Sequence, residues 1–269
     1  MINFSERFQA LLPNDAHVQD ELSALLTPCA KPVDSPSAAW LALQQDHRAL
    51  WQFCTPLREA LGISQRTVLV SLLHKHYCQQ QFGPRAAQAL LDQPWPAFED
   101  NEQVHLSHDQ RQLCWHSDQP IAPAAAQTSL SALMSQIPEQ LNVQYRTWRA
   151  LGIGPGVYWS NAALSLVMPW NLLLGHVRES EQLGQLSQAF LTGFGEKLAA
   201  QLQWIGVRQH GLRHWLPKRQ GCCLQYQCTQ GEGQCGTCSL RSKDEFLTLI
   251  AQHYGAIEED SSPLATPAG

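Results

Sequence analysis

Long apolar runs are missing from this chain. The longest candidate, Val157 to Leu174, is broken by Ser160, Asn161, Ser165, Pro169 and Asn171, and a spanning helix needs about eighteen or more apolar residues, so no transmembrane segment is expected. Basic runs are missing too. With 15% charged residues, a formal net charge of −5 and no cluster of lysines and arginines long enough to act as a polycationic tail, nucleic acid is excluded as an expected partner. No Gly-x-Gly-x-x-Gly follows a strand pattern and no phosphate loop occurs, so the chain has no recognisable nicotinamide or nucleotide site of its own. The opening residues, Met1 to Ala10, carry no charged leader ahead of an apolar core, and no internal repeat is visible.

Cysteine, by contrast, is abundant and unevenly placed. Of nine cysteines, five lie in one stretch: Cys222, Cys223, Cys228, Cys235 and Cys238. Cys29, Cys54, Cys78 and Cys114 are scattered singly in apolar company and read as buried packing thiols. The stretch also holds Gly231, Gly233 and Gly236, which let a backbone wrap closely around a bound group. Cys235-x-x-Cys238 puts two thiolates on one tight turn, a unit used by zinc and by iron–sulfur sites alike. Its upstream partner is the adjacent pair Cys222-Cys223. Neighbouring side chains in an extended segment point apart, so both serve only a wide ligand or a bent backbone. A two-iron cluster is wide enough; a zinc ribbon and a vicinal redox pair stay open as alternatives. A disulfide framework needs an oxidising compartment. Free-thiol usage without a leader instead gives the expectation of a reducing, cytoplasmic interior.

The Cys-Cys pair followed by Leu224 and an aromatic, with a distant Cys-x-x-Cys near the C-terminus, resembles the FhuF-like ferric siderophore reductases, which hold a [2Fe–2S] cluster in a Cys-Cys-x10-Cys-x-x-Cys motif. Here the gap between Cys223 and Cys235 is one residue longer and contains Cys228. Ser71-Leu-Leu-His74-Lys75-His76-Tyr77 and Gly156-Val-Tyr158-Trp159-Ser160-Asn161-Ala162-Ala163 resemble the family's helical segments, the second through its Trp-x-Asn-Ala core. The resemblance runs over about residues 60 to 245. It implies Cys222, Cys223, Cys235 and Cys238 as cluster ligands, with Cys228 as the spare. It also implies one-electron reduction of a ferric siderophore, hydroxamate type favoured, and an external donor such as a ferredoxin or a flavoprotein reductase. The alternative function is a zinc-stapled helical protein that binds a siderophore or a partner without redox activity.

Just upstream, residues 206 to 221 carry Arg208, Arg213, Lys218 and Arg219 and no acid. Cations beside a thiolate cluster favour its reduced form, and they also attract an anionic substrate or an acidic donor; a solvated basic face weighs evenly against these roles. His74 and His76 straddle Lys75 and share no helix face. His105, His108 and His116 fall on or near a hairpin and receive no role.

Periodicity predicts a mainly α protein with a small β-hairpin. The expected organisation is a helical body over 1–205, with the hairpin near 103–116, then a C-terminal cluster-binding segment over 206–257 and a disordered tail over 258–269. Helices are expected to end near Gln81, to restart at Gly83-Pro84 and to stop at Pro138.

Overall fold

The computed structural model describes residues 2–27, 29, 36–98, 102–116, 129–174, 176–177, 180–209, 211–231, 233–255, 257–260, 262 and 264. At its centre stands helix α6 (Arg66–Leu90), with α1 (Phe4–Leu11), α2 (Ala16–Leu26), α3 (Trp40–Gln45), α4 (His47–Phe53) and α5 (Thr55–Leu61) preceding it. Its apolar residues occupy every face, with Val68, Leu69, Val70, Leu72, Leu73, Tyr77 and Phe82 all buried, the pattern of a helix enclosed on all sides. Around it pack α1, α2, α7 (Leu130–Leu151), α8 (Pro155–Leu166) and α9 (Met168–Asn171). Tyr77, Trp115, Trp148 and Trp40 meet edge-on or tilted at the junction of α6, α7 and the first sheet.

Two three-stranded antiparallel sheets flank the helices. The first has the order β1-β2-β3, from β1 (Ala38–Ala39), β2 (Gln103–Leu106) and β3 (Leu113–His116), and the predicted 103–116 hairpin is its β2–β3 pair. The second has the order β5-β4-β6, from β4 (Leu202–Gln209), β5 (Leu212–Arg219) and β6 (Glu258–Asp260). It lies against α10 (Ser180–Gly193), where Gly184 leaves no room for a Cβ beside the Trp215 ring. Helices α11 (Glu196–Ala199) and α12 (Lys243–Tyr254) complete the chain, α12 opening on a capping box between Ser242 and Glu245.

Several expectations are corrected. Helix α6 continues through Gly83 and Pro84, and α7 through Pro138. An interior proline costs about 3 kcal/mol, but α6 is buried on both sides of the break, and Arg85 donates to the Gln81 carbonyl at 2.8 Å and to the Pro96 carbonyl at 2.9 Å. The segment 206–221 forms most of a β-hairpin, and the boundary placed at 205/206 falls inside β4. The tail expected to be disordered supplies β6, which pairs with Gly206 to Arg208; most of the rest of it, like the Ala-rich stretch before Leu130, lies outside the described residues. Cys29 and Cys114 are not separate packing thiols but a disulfide, with Cα atoms 5.9 Å apart.

Candidate metal centre

Strand β5 ends at Arg219, and the cysteine loop begins two residues later. Gly221 passes so close to α8 that a Cβ there would collide with the Gly156 carbonyl, and its N–H donates to Ser160 Oγ at 2.8 Å. The Cys222-Cys223 pair follows. Leu224 takes a left-handed conformation, φ 62° and ψ 8°, and a single 3-10 turn covers Gln225–Gln227. This is the bend that adjacent cysteines need if both are to face one group, and the Leu224 N–H points back at Cys222 Sγ, 3.4 Å away. A non-glycine residue in that region costs about 1–2 kcal/mol. Helix α6 offsets it by gripping the loop: Ser71 Oγ donates to the Cys223 carbonyl at 2.7 Å, and Lys75 Nζ to Gln225 Oε1 at 2.7 Å. On the far side, Cys235 and Cys238 form a turn closed by a 3.0 Å backbone bond, and Arg219 N donates to the Thr237 carbonyl at 3.1 Å.

The four thiols form two pairs. Cys222 Sγ lies 3.9 Å from Cys238 Sγ, and Cys223 Sγ lies 3.8 Å from Cys235 Sγ. Two sulfurs bound tetrahedrally at about 2.3 Å sit about 3.8 Å apart, so each pair has the bite of one metal ion. A single tetrahedral ion would need that separation between all four sulfurs. Among the described residues, the only three ligand atoms mutually within 4.8 Å belong to Cys29, His105 and Cys114, so no three of these four sulfurs meet that condition. The donor set therefore fits a binuclear group better than a mononuclear one. Each pair joins a buried thiol, Cys238 or Cys223, to a part-exposed one, Cys222 or Cys235; the deep pair is Cys223/Cys235, the one against the buried Arg219 guanidinium.

Arg219 joins the thiols to the helices. Its side chain is 2% exposed, Nη2 donates to Cys223 Sγ at 2.9 Å and to Cys235 Sγ at 2.7 Å, and Nη1 donates to Asn161 Oδ1 at 2.8 Å. Its Nε is buried with no acceptor among the described residues. Asn161, on α8, turns its amide nitrogen to the Ser71 carbonyl and to His74 Nδ1, both at 3.3 Å. With Asn161 Oδ1 engaged by Arg219, the His74 nitrogen accepts, and the ring stays neutral. Burial holds His74 down to about 3. A buried cation demands anionic partners, and here the partners are sulfur. The hydrogen bond from Cys235 and then the Arg219 and Lys75 charges hold the Cys223 thiol well below its ordinary value, while the same bond and burial push Cys235 up. Next to Arg219 the thiolate form is thus favoured at Cys223 and the thiol form at Cys235.

The other singled-out residues separate. Arg208 and Arg213 turn to Asp260 of β6, at 2.9 and 2.6 Å, and Arg213 also meets Glu181 at 3.0 Å. The acids that the segment lacks thus arrive from distant elements, and the hydrogen bond from Arg213 holds the Asp260 carboxyl well below the usual range. Lys218 is half-buried, facing neither pair among the described contacts. Cys228 is buried in the apolar cluster beside Gly231, and burial pushes its thiol up.

Sequence reasoning did not single out Asn161, Ser71 or Lys75 as functional residues. Their signal lay in the two helical segments, Ser71 to Tyr77 and Gly156 to Ala163, which the fold brings to the same thiols. Comparison with family profiles, curated proteins and solved structures finds no significant match to this chain.

Proposed function

We propose that the chain holds a [2Fe–2S] cluster on Cys222, Cys223, Cys235 and Cys238 and reduces a ferric siderophore by one electron. The observation that carries this is the division of the four sulfurs into two metal-width pairs, 3.8 and 3.9 Å, one pair per metal. It weighs against the zinc-stapled alternative, which needs one compact tetrahedron. The convergence of the two family-like helical segments on the same loop adds independent support.

When bound, the cluster supplies a one-electron couple. The protein residues do the rest. Arg219 adds a fixed positive charge and two hydrogen bonds to the deep pair, which favours the more negative, reduced state. Ser71 and Ser160 fix the loop to α6 and α8, so its geometry changes little between states. Cys222 provides the part-exposed edge at which donor and substrate approach. The substrate's Fe(III) becomes Fe(II), a softer and less charged ion for which hydroxamate oxygens have far lower affinity, and the iron is released. Without a nucleotide site the chain draws its electrons from a separate ferredoxin or flavoprotein, and the setting is the cytoplasm. Among the described residues no helix is long and apolar enough to cross a membrane.

The test is anaerobic. Iron-loaded protein reduced by dithionite and freed of excess reductant is mixed with a ferric hydroxamate and an Fe(II) chelator. Reoxidation of the visible bands with about one Fe(II) per electron is expected. A colourless protein holding one zinc, or bands that stay bleached with every ferric siderophore, would overturn the proposal.

A further inference from the structure

A second group of metal-ligating side chains lies on the first sheet and shares no residue with the four-thiol centre. The register of β2 on β3 sets His105 directly opposite Cys114, a cross-strand pair whose side chains stand on one face. His116, two residues beyond Cys114, shares that face, and its Nδ1 lies 3.1 Å from His105 Nδ1. Cys29 closes over the same face from the segment after α2 and is joined to Cys114. Ligand atoms of Cys29, His105 and Cys114 all lie within 4.8 Å of one another, and His105 and Cys114 are both fully buried.

We infer that Cys29, Cys114 and His105 form a redox-gated zinc site, closed to metal while the disulfide stands and open when it is reduced. Donor chemistry and charge both favour zinc. Two thiolates and a neutral imidazole are a soft-to-borderline set, and two thiolates balance a divalent ion, so the occupied site is electrically neutral where a buried net charge would be costly. Gln112 Nε2, 3.7 Å from Cys29 Sγ and 4.0 Å from Cys114 Sγ, is placed to donate to the bound sulfurs, the supporting role that outer groups play at such sites. Three protein ligands leave the fourth tetrahedral position to water.

The chemistry balances with a dithiol as reductant. The dithiol is oxidised to its own disulfide as it passes two electrons and two protons to the Cys29–Cys114 bond, which breaks to two thiols. Zinc then replaces the two thiol protons, which leave to solvent, and two zinc–sulfur bonds form. Reoxidation reverses both steps and expels the ion.

The experiment uses the full iron-loaded chain. Protein is reduced anaerobically with dithiothreitol, exchanged into buffer containing zinc and a weak chelator, and its zinc is counted against unreduced protein and reduced Cys29→Ser. About one more zinc per chain is expected in the reduced wild type than in either control, with a first shell of two sulfurs and one imidazole nitrogen by X-ray absorption. Zinc should also slow alkylation of Cys29 in the reduced wild type, a readout that needs no variant to fold. Equal zinc in all three samples, or alkylation at the same rate with and without zinc, overturns the inference.

Discussion

Replacing Arg219 by Gln keeps a planar donor near Asn161 and removes the charge from the deep sulfur pair. The guanidinium sits 2.7 and 2.9 Å from Cys235 and Cys223. A unit charge about 5 Å from an added electron, at an effective dielectric near 20, is worth about 3 kcal/mol. For a one-electron couple, about 59 mV corresponds to a tenfold change in equilibrium, and that energy converts to roughly 130 mV. The edge at Cys222 admits solvent, so the expected fall in midpoint potential is on the order of 100 mV. Arg219→Lys, which keeps the charge and loses the fork, should fall by less than half as much. Optical redox titration of iron-loaded proteins with mediators measures both. Potentials within about 20 mV of wild type for the Gln variant, with its visible spectrum intact, would refute the electrostatic role assigned to Arg219.

Cys228→Ser should leave the visible spectrum of the loaded protein nearly unchanged, whereas Cys235→Ser should abolish it; the opposite outcome would move Cys228 into the ligand set. Asn161→Leu strands both the Arg219 Nη1 donor and His74 Nδ1, and it should lower unfolding stability in urea by about 2–4 kcal/mol; a loss below about 1 kcal/mol would remove Asn161 from its place as a structural hub. Burial lowers His74 and His76 from the usual 6.5 to about 3. Across that window the unfolded chain binds more protons than the folded one, so stability is full above about pH 6.5 and is lost as pH falls towards 3. Unfolding free energies from urea titrations at pH 7, 5.5 and 4.5 should fall steadily, by several kcal/mol in all, and free energies independent of pH would contradict the neutral state of these rings.

The cysteine loop, the two helical segments and the first hairpin were legible because each depends on local signals: thiol spacing, a 3.6-residue apolar period, and alternation around a polar turn. The β4–β5 hairpin was not. Pro217 lies inside β5, which argues against a strand when read locally, and the cations at 208, 213, 218 and 219 draw attention to charge rather than alternation. Their acids, Asp260 and Glu181, are 47 and 32 residues from Arg213, a pairing that no local window contains. Gly83-Pro84 and Pro138 failed in the other direction. Propensity marked them as ends, and burial of the helices overrode it. Cys29 and Cys114 are 85 residues apart, and only the sheet register shows that they meet.

Arg219 has a consequence for the thiols before metal enters as well. Its charge is balanced by sulfur and not by a carboxylate, so the balance moves with the oxidation state of Cys223 and Cys235. Joining those two as a disulfide would take away both acceptors and leave a 2% exposed guanidinium with only the Asn161 amide. The reduced pair is therefore the favoured one, and a disulfide there is a strong oxidant that cellular dithiols readily open, as holds wherever the dithiol form is selectively stabilised. A chain that has lost its metal in air thus keeps, or quickly recovers, the two thiols beside Arg219 that it needs to be loaded again.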